Sequence, residues 1–537
     1  MKGYDLPKRR LVSQEDSSVI ERPDVPRSTF LGSWAHKTTF DAGLLVPILV
    51  EEVLPGDHLK YSMTAFIRMS TPVFPLMDSQ RLDTHWFFVP NRLVWSNWRQ
   101  MMGQQANPTD SIDFTVPIIV AGGGMTVGST YDHMGLVVSG QFTAPYEFNA
   151  LPLRGYHLIY NEWFRDQNLQ NSVAVPTGDG PDTSGTYQQL LRRAKSHDYF
   201  TSCLPWPQKF TAPTVPLLGS APIRGIGIDL NTWGPPAIGA FAVNETTGSP
   251  TYTNGFTIPS AGAALIMDSD GVNRPAIYAD LSLATGVNIN QMRQAWMVQT
   301  LLERDARGGT RYTELVKSHF GVTSPDARQQ RPEYIGGGST PIFSTPVAQT
   351  APTEDTGVGV LGAATSAVGT HTASYAATEH GFIIALASIK SELTYQQGVH
   401  RMWWRRSRLD YYWPALAQLG EQAVLRREIY CTGVFGDDNT VFGYQERFHE
   451  YRTRVSTTAG LFRSTSTGNI DEWHLAQRFT SPPTLGPTFI GDNPPMSRVL
   501  AAGDLAVGQQ FLADFQFNRT AVRPIPVFGT PATLGRF

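Results

Sequence analysis

TTFDAGLLVPILVEEVLPGD (residues 38–57) and YSMTAFIRMSTP (61–72) lie three residues apart, and together they set the fold class. Both are strand-like runs of β-branched, aromatic and other apolar residues. Pro55-Gly56-Asp57 separates them: proline has no N–H for a ladder, and glycine and aspartate favour the conformations of a turn. RLDTHWFFVPNRLVW (81–95) continues the theme with a dense aromatic run. Three strands therefore follow one another near the start of the chain. GFIIALASIKSEL (381–393) is apolar almost without interruption, the pattern of a strand buried on both faces. EIYCTGV (428–434), VFGYQERFHEYRTRVS (441–456) and FLADFQFNRTAVRP (511–524) supply further strand candidates.

Helices are few. Residues 145–170 carry Pro152 near the start and Tyr156, Ile159, Tyr160, Trp163 and Phe164 at helical spacing. NINQMRQAWMVQTLLERDARGG (288–309) places Met292, Ala295, Val298, Leu301 and Leu302 on one face and stops at Gly308-Gly309. TRYTELVKSHFG (310–321) makes a second helix, so 288–321 is expected to be a helical hairpin. Residues 1–30 are polar and broken by Pro7, Pro23 and Pro26, which predicts an extended arm. Residues 222–287 lose nearly all charge and read as an inserted surface excursion, and 336–380 read as a Gly/Ser/Thr/Ala/Pro-rich loop.

Composition agrees with many short strands joined by long loops: 17% of residues are charged, and 49 glycines and 38 prolines punctuate the 537 positions. Forty-three Lys+Arg against 46 Asp+Glu leave a formal charge of −3, which excludes a wholesale polyanion binder and confines any nucleic-acid contact to a local patch. Cys203 and Cys431 match neither a disulfide framework nor a zinc spacing, and a reducing compartment fits them. The longest apolar runs fall well short of the ~20 residues of a membrane-spanning helix, and MKGYDLPKRR has no signal-peptide character, so a soluble protein is expected.

Catalytic templates are absent: no GxSxG, GxxxxGK[ST] or HExxH occurs, and no GxGxxG leads from strand to helix. Glu303 and Asp305 sit among Arg304, Arg307 and Arg311, an interleaving that suits an ion-pair network at a subunit or loop contact better than an acid/base pair. His36, His85, His157, His197, His319, His400 and His474 have no ligand spacing. MDSDG (267–271) and GDDNT (436–440) offer oxygen ligands of the kind calcium takes, but both suit turns, so no cofactor or metal is assigned. The most loaded stretch is RMWWRRSRLDYYWP (401–414). Arg401, Arg405, Arg406 and Arg408 suit phosphates, and the aromatics, Trp403 and Trp404 among them, suit stacking on unpaired bases. Strand alternation would put Trp403, Arg405, Ser407 and Leu409 on one face and Trp404, Arg406, Arg408 and Asp410 on the other. Lys8, Arg9 and Arg10 form a second candidate nucleic-acid contact, on a flexible arm.

Several segments together resemble one family. SWAHKTTFDAGLLVPILVEEVLPGD (33–57), DTHWFFVPNRLVWSNW (83–98), LPLRGYHLIYNEWFRDQN (151–168), LLERDARGGTRYTELVKSHFGVTSPDARQQRPEYIGGGST (301–340) and AVRPIPVFGTP (521–531) are similar to the major capsid proteins of microviruses of the gokushovirus type, small tailless icosahedral single-stranded DNA bacteriophages. The resemblance implies an all-β fold, an eight-stranded viral jelly roll (β-sandwich) over residues 31–537, with long inserted loops containing a few helices. It implies sixty copies in a T=1 icosahedral shell around a circular single-stranded DNA genome, located in the virion and assembled in the host bacterial cytoplasm. Residues 222–287 correspond by position to a threefold surface protrusion that meets a bacterial host-surface receptor. A small basic DNA-associated virion protein and a minor pilot protein are the implied partners. Besides Arg304, Asp305 and Arg307, the loop residues Ile335 and Phe528 are candidates for intersubunit contact. A secreted β-sandwich carbohydrate-active enzyme or lectin is the alternative. It calls for a signal peptide and, for an enzyme, a separable carboxylate pair.

Overall fold

The computed structural model describes residues 26–122, 125–214, 218–219, 223–224, 226–228, 263–265, 278–279, 284–285, 288–352, 361–501 and 510–528. Lys8, Arg9, Arg10, MDSDG and most of 222–287 lie outside them. The chain divides into two units, Met1–Pro207 with Arg307–Phe537, and Gln208–Ala306.

The first unit carries β1 (Ser28–Phe40), β2 (Val46–Val53), β3 (His58–Met69), β4 (Gln80–Pro90), β5 (Glu333–Ala348), β6 (Leu361–Ala376), β7 (Gly381–Ser391), β8 (Glu421–Leu425), β9 (Val441–Glu446) and β10 (Phe511–Arg523). Its helices include α1 (Leu151–Ile159) and α3 (Tyr312–Phe320); α2 runs over Ile289–Gly308. Eight strands join in the order β1-β10-β3-β6-β5-β4-β7-β2, every pair antiparallel. The halves β1-β10-β3-β6 and β5-β4-β7-β2 have the interleaved strand order of a jelly roll. Long insertions leave this frame between β4 and β5 and between β7 and β10.

Period-two burial builds the core. Leu59, Tyr61, Met63, Ala65 and Ile67 of β3 and Phe511, Phe515 and Phe517 of β10 face Trp86 and Phe88 of β4 and Ile383, Ala385, Ala387 and Ile389 of β7. Each large side chain so buried contributes roughly 1.5–3 kcal/mol. The alternate residues Phe87, Val89, Phe382, Ile384 and Leu386 pack on Leu151, Tyr156 and Ile159 of α1, so β4 and β7 are covered on both faces. This is why WFFV and GFIIALASI read as unbroken apolar runs. The opposite face of β3, β6 and β10 stays open: Phe66, Val368 and Leu512 are exposed there. Helix α1 continues as a π-turn over Tyr160–Phe164, inside the span expected from its spacing.

Two expectations are corrected. Residues 336–380 are largely strand, forming most of β5 and β6; their glycines and small residues make room for neighbours instead of marking a loop. A Cβ at Gly338 would press on the imidazole of His371, which is buried and lies 2.6 Å from Thr84 Oγ1 and 2.8 Å from Thr340 Oγ1. Residues 28–30 already belong to β1, whose whole length pairs with β10.

Asp492 is buried, its N–H donating to the Arg193 carbonyl, and its carboxyl is pushed up from 3.8 to about 6 by burial, against the pull of Arg193, Lys195, Arg192 and Lys390. The folded value lies above the ordinary one. The contribution is thus held in full below pH ~4 and lost as the pH rises through about 6, a change of roughly 3 kcal/mol. Asp492→Asn is expected to remove that slope and to raise the melting temperature at pH 7.5. Parallel melting curves for variant and parent from pH 4 to 8 would contradict the burial.

In the second unit the described strands pair antiparallel in nested order: Leu218–Gly219 with Ala284–Thr285, Ile223–Arg224 with Tyr278–Ala279, and Ile226–Ile228 with Ala263–Leu265. The described backbone therefore pairs at three places, each a short two-stranded antiparallel ladder.

Candidate nucleic-acid interface

The stretch 401–414 is not a strand. It folds as short 3₁₀ turns at Arg401–Trp404 and Arg408–Asp410, with a third at Pro414–Leu416. Polar side chains close them locally: His400 Nδ1 accepts the N–H of Met402 at 3.2 Å, and Asp410 Oδ2 accepts those of Arg406 and Ser407 at 2.9 and 2.8 Å. The expected alternation of faces is replaced by a division between inward and outward groups. EIYCTGV is likewise no strand: its first residues end the short helix Arg426–Ile429, capped by Glu428.

The inward half is structural. Arg401 lies 3.2 Å from Glu428 and 3.9 Å from Glu450, and it also donates to the carbonyl of Ala423 at 2.8 Å. Arg405, its side chain 8% exposed, donates to Glu450 at 2.8 Å and lies over the Tyr451 ring at 4.2 Å. Glu428 also accepts from Tyr199 Oη at 2.8 Å, and burial raises its carboxyl above the ordinary value against the pull of Arg401. Trp404 is half-buried under the guanidinium of Arg427, 4.3 Å from the ring centre, and its Nε1 donates to the Val399 carbonyl.

The outward half is the part free to meet a ligand. Trp403 is 72% exposed, Tyr411, Tyr412 and Trp413 are exposed, and the guanidinium of Arg408 lies 4.7 Å from the Trp413 ring centre. Arg406 and Arg408 are exposed, and no ion pair involves either among the described residues. Beside them opens a cleft of about 670 Å³, floored by Phe200 and Tyr395 and rimmed by Trp403, Arg452, Arg454 and Arg463. Rings set among cations suit an unpaired base with its phosphate. The three rim arginines were not singled out from sequence. The signal for Arg452 and Arg454 was the cluster in RFHEYRTRVS, which read only as a continuing strand; Arg463 lies outside it.

The candidate contact residues are scattered. Arg307 pairs with Glu421 and donates to Gln445 at 2.9 Å, both within its own unit. Arg304 is exposed and Asp305 half-buried, both on α2. Ile335 is half-buried against the main core, and Phe528 is 80% exposed. Among the described residues no group of three or more His, Cys, Asp or Glu side chains is arranged to hold a metal ion. In GDDNT the carboxylate of Asp438 accepts the N–H groups of Thr432 and Gly433 at 2.8 and 2.9 Å, closing a turn. Among the described residues no helix is long and apolar enough to cross a membrane.

Residues 18–533 match the model of the family described as Capsid protein (F protein). The chain belongs to that phage capsid protein family. Similar proteins are each named Capsid protein VP1: that of Bdellovibrio phage phiMH2K is 45% identical, covering 98% of this chain and 99% of the relative. The protein of Chlamydia phage 1 is 38% identical over 99% of both chains, and that of Spiroplasma virus 4 is 35% identical over 96% and 97%. As a member of the capsid family the chain is a structural component of microvirus virions and not an enzyme, which agrees with the lack of catalytic templates and with a jelly-roll frame.

Proposed function

We propose that sixty copies of this chain close into a T=1 icosahedral shell around a circular single-stranded DNA genome, with the outward half of 401–414 and the adjoining cleft facing the nucleic acid. The observation that supports a DNA contact is the exposure of Arg406, Arg408 and Trp403 beside a cleft lined by further arginines and aromatic rings, on a subunit whose net charge is −3. A protein with so little overall charge attracts a polyanion only where cations are concentrated. The arm residues Lys8, Arg9 and Arg10 belong to the same proposal, as do a small basic DNA-associated virion protein and a minor pilot protein as partners. The excursion 222–287 is proposed as a protrusion at the threefold axes that meets a receptor on the bacterial host.

Arg406→Ala with Arg408→Ala is the test, because neither side chain holds the fold together. Particles are expected to form at normal yield but to hold less DNA, and the slope of DNA release against salt should fall by about one unit for each phosphate no longer neutralised. Full genome content at an unchanged salt slope would remove the proposal. For the protrusion, shells lacking 222–287 are expected to lose adsorption to host cells.

A further inference from the structure

Helix α2 exposes large apolar side chains along most of its length. From Ile289 to Leu301 every residue is exposed except Ala295 and Gln299, yet the run contains Ile289, Met292, Trp296, Met297, Val298 and Leu301. Trp296 is 69% exposed and Met297 67%. Arg293 is the one charged residue between Asn288 and Leu302. A solvent-facing helix of this length is ordinarily laced with charge, whereas protein interfaces lose charge and gain Trp and Met.

The apolar residues are not spread at random. At about 100° per residue, Ile289, Met292 and Trp296 form one stripe and Met297 and Leu301 a second, separated by roughly 130° with Arg293 and Thr300 between them. Ala295, Gln299, Leu302 and Ala306, each half-buried or buried, lie on a third side. The side turned to its own chain is therefore already occupied, and the other two await partners. At about 100–150 Å² per large side chain the stripes offer some 300–450 and 200–300 Å², each less than one partner's ~800 Å² share of a standard interface and so one modest contact among several.

We infer that the exposed length of α2 is an intersubunit contact, its two stripes covered by neighbouring copies of this chain. The inference rests on the shell reading. The occupant is a further copy because the surface carries a single charge, Arg293, because stripes of this area suit small contacts repeated within a closed shell, and because a patch with two separate sides suits head-to-tail packing in which each subunit meets two neighbours. Modest contacts of this kind, repeated around a closed shell, all act at once.

The test uses the full chain, free and assembled. Hydrogen exchange in α2 is expected to be fast in the free subunit and slowed at least about tenfold in particles. Trp296→Glu, and separately Leu301→Glu, should each cut particle yield at least about tenfold with the circular dichroism of the subunit unchanged, while Trp296→Phe restores yield. Particles in which α2 exchanges as fast as in the subunit would overturn the inference and leave the shell reading intact. Equal protection in the free subunit would overturn it too, by showing that the chain covers its own helix. Wild-type chain that forms no closed particles would overturn both.

Discussion

Arg405→Ala is expected to cost the subunit about 3–5 kcal/mol, because it leaves a carboxylate in the interior without its nearest cation. The Glu450 side chain is 3% exposed and takes its shortest charged contact, 2.8 Å, from Arg405. Arg401 stands farther off at 3.9 Å, and Gln422 supplies one neutral hydrogen bond at 2.7 Å, so neither replaces what the substitution removes. The stacking of Arg405 over Tyr451 goes with it. Urea unfolding of the unassembled subunit measures the effect, with Arg406→Ala, on the exposed side of the same turn, expected within about 0.5 kcal/mol of wild type. Arg405→Ala/Glu450→Gln should recover part of the stability, since the orphaned charge is gone. Equal midpoints for Arg405→Ala and wild type would show that the pair is not buried as described.

Gly337→Val is expected to prevent β4 and β5 from pairing and to yield little folded subunit. Gly337 has φ +153°, in a region that side chains seldom enter, and a Cβ there would overlap the carbonyl oxygen of Thr84 on the neighbouring strand. It lies just past the bulge at Tyr334/Gly336, where the ladder shifts register. Both strain and collision act, so a destabilisation well above about 3 kcal/mol is expected. Gly433→Ala provides the comparison: its φ is +81° but nothing lies within 4 Å of a Cβ there, so only the conformational cost of about 1 kcal/mol applies. Soluble expression and melting of the two variants side by side separate collision from strain.

The strands legible in the sequence are those whose side chains do the packing. β3 alternates, β7 and the second half of β4 are nearly unbroken apolar runs, and β10 carries Phe511, Phe515 and Phe517 on one face; all four match the expected runs. β5 and β6 do not announce themselves, because their glycines and alanines serve neighbours larger than themselves, and no local pattern points to a partner distant in sequence. β1 is hidden over most of its length because its half-exposed residues alternate weakly and its order comes from pairing with β10 at the far end of the chain. At the candidate site the residue types are legible and their division is not. Which arginines meet Glu428 and Glu450 and which meet solvent depends on a loop and a hairpin brought together by the fold. The charge-poor run of α2 is in plain view, but the single face expected through Met292, Ala295, Val298, Leu301 and Leu302 does not hold: Met292 and Leu301 stand on opposite sides, both turned to solvent, while Ala295 and Leu302 are half-buried.

The nested pairs from Leu218–Gly219 and Ala284–Thr285 inward have a bearing on what such a protein can carry. Two antiparallel backbones at ladder distance, about 5 Å apart, form a socket whose ends stay in place whatever lies beyond them. A replacement segment of any length has only to begin and end side by side to join such a pair of strands. The same socket is a natural place to display a foreign peptide.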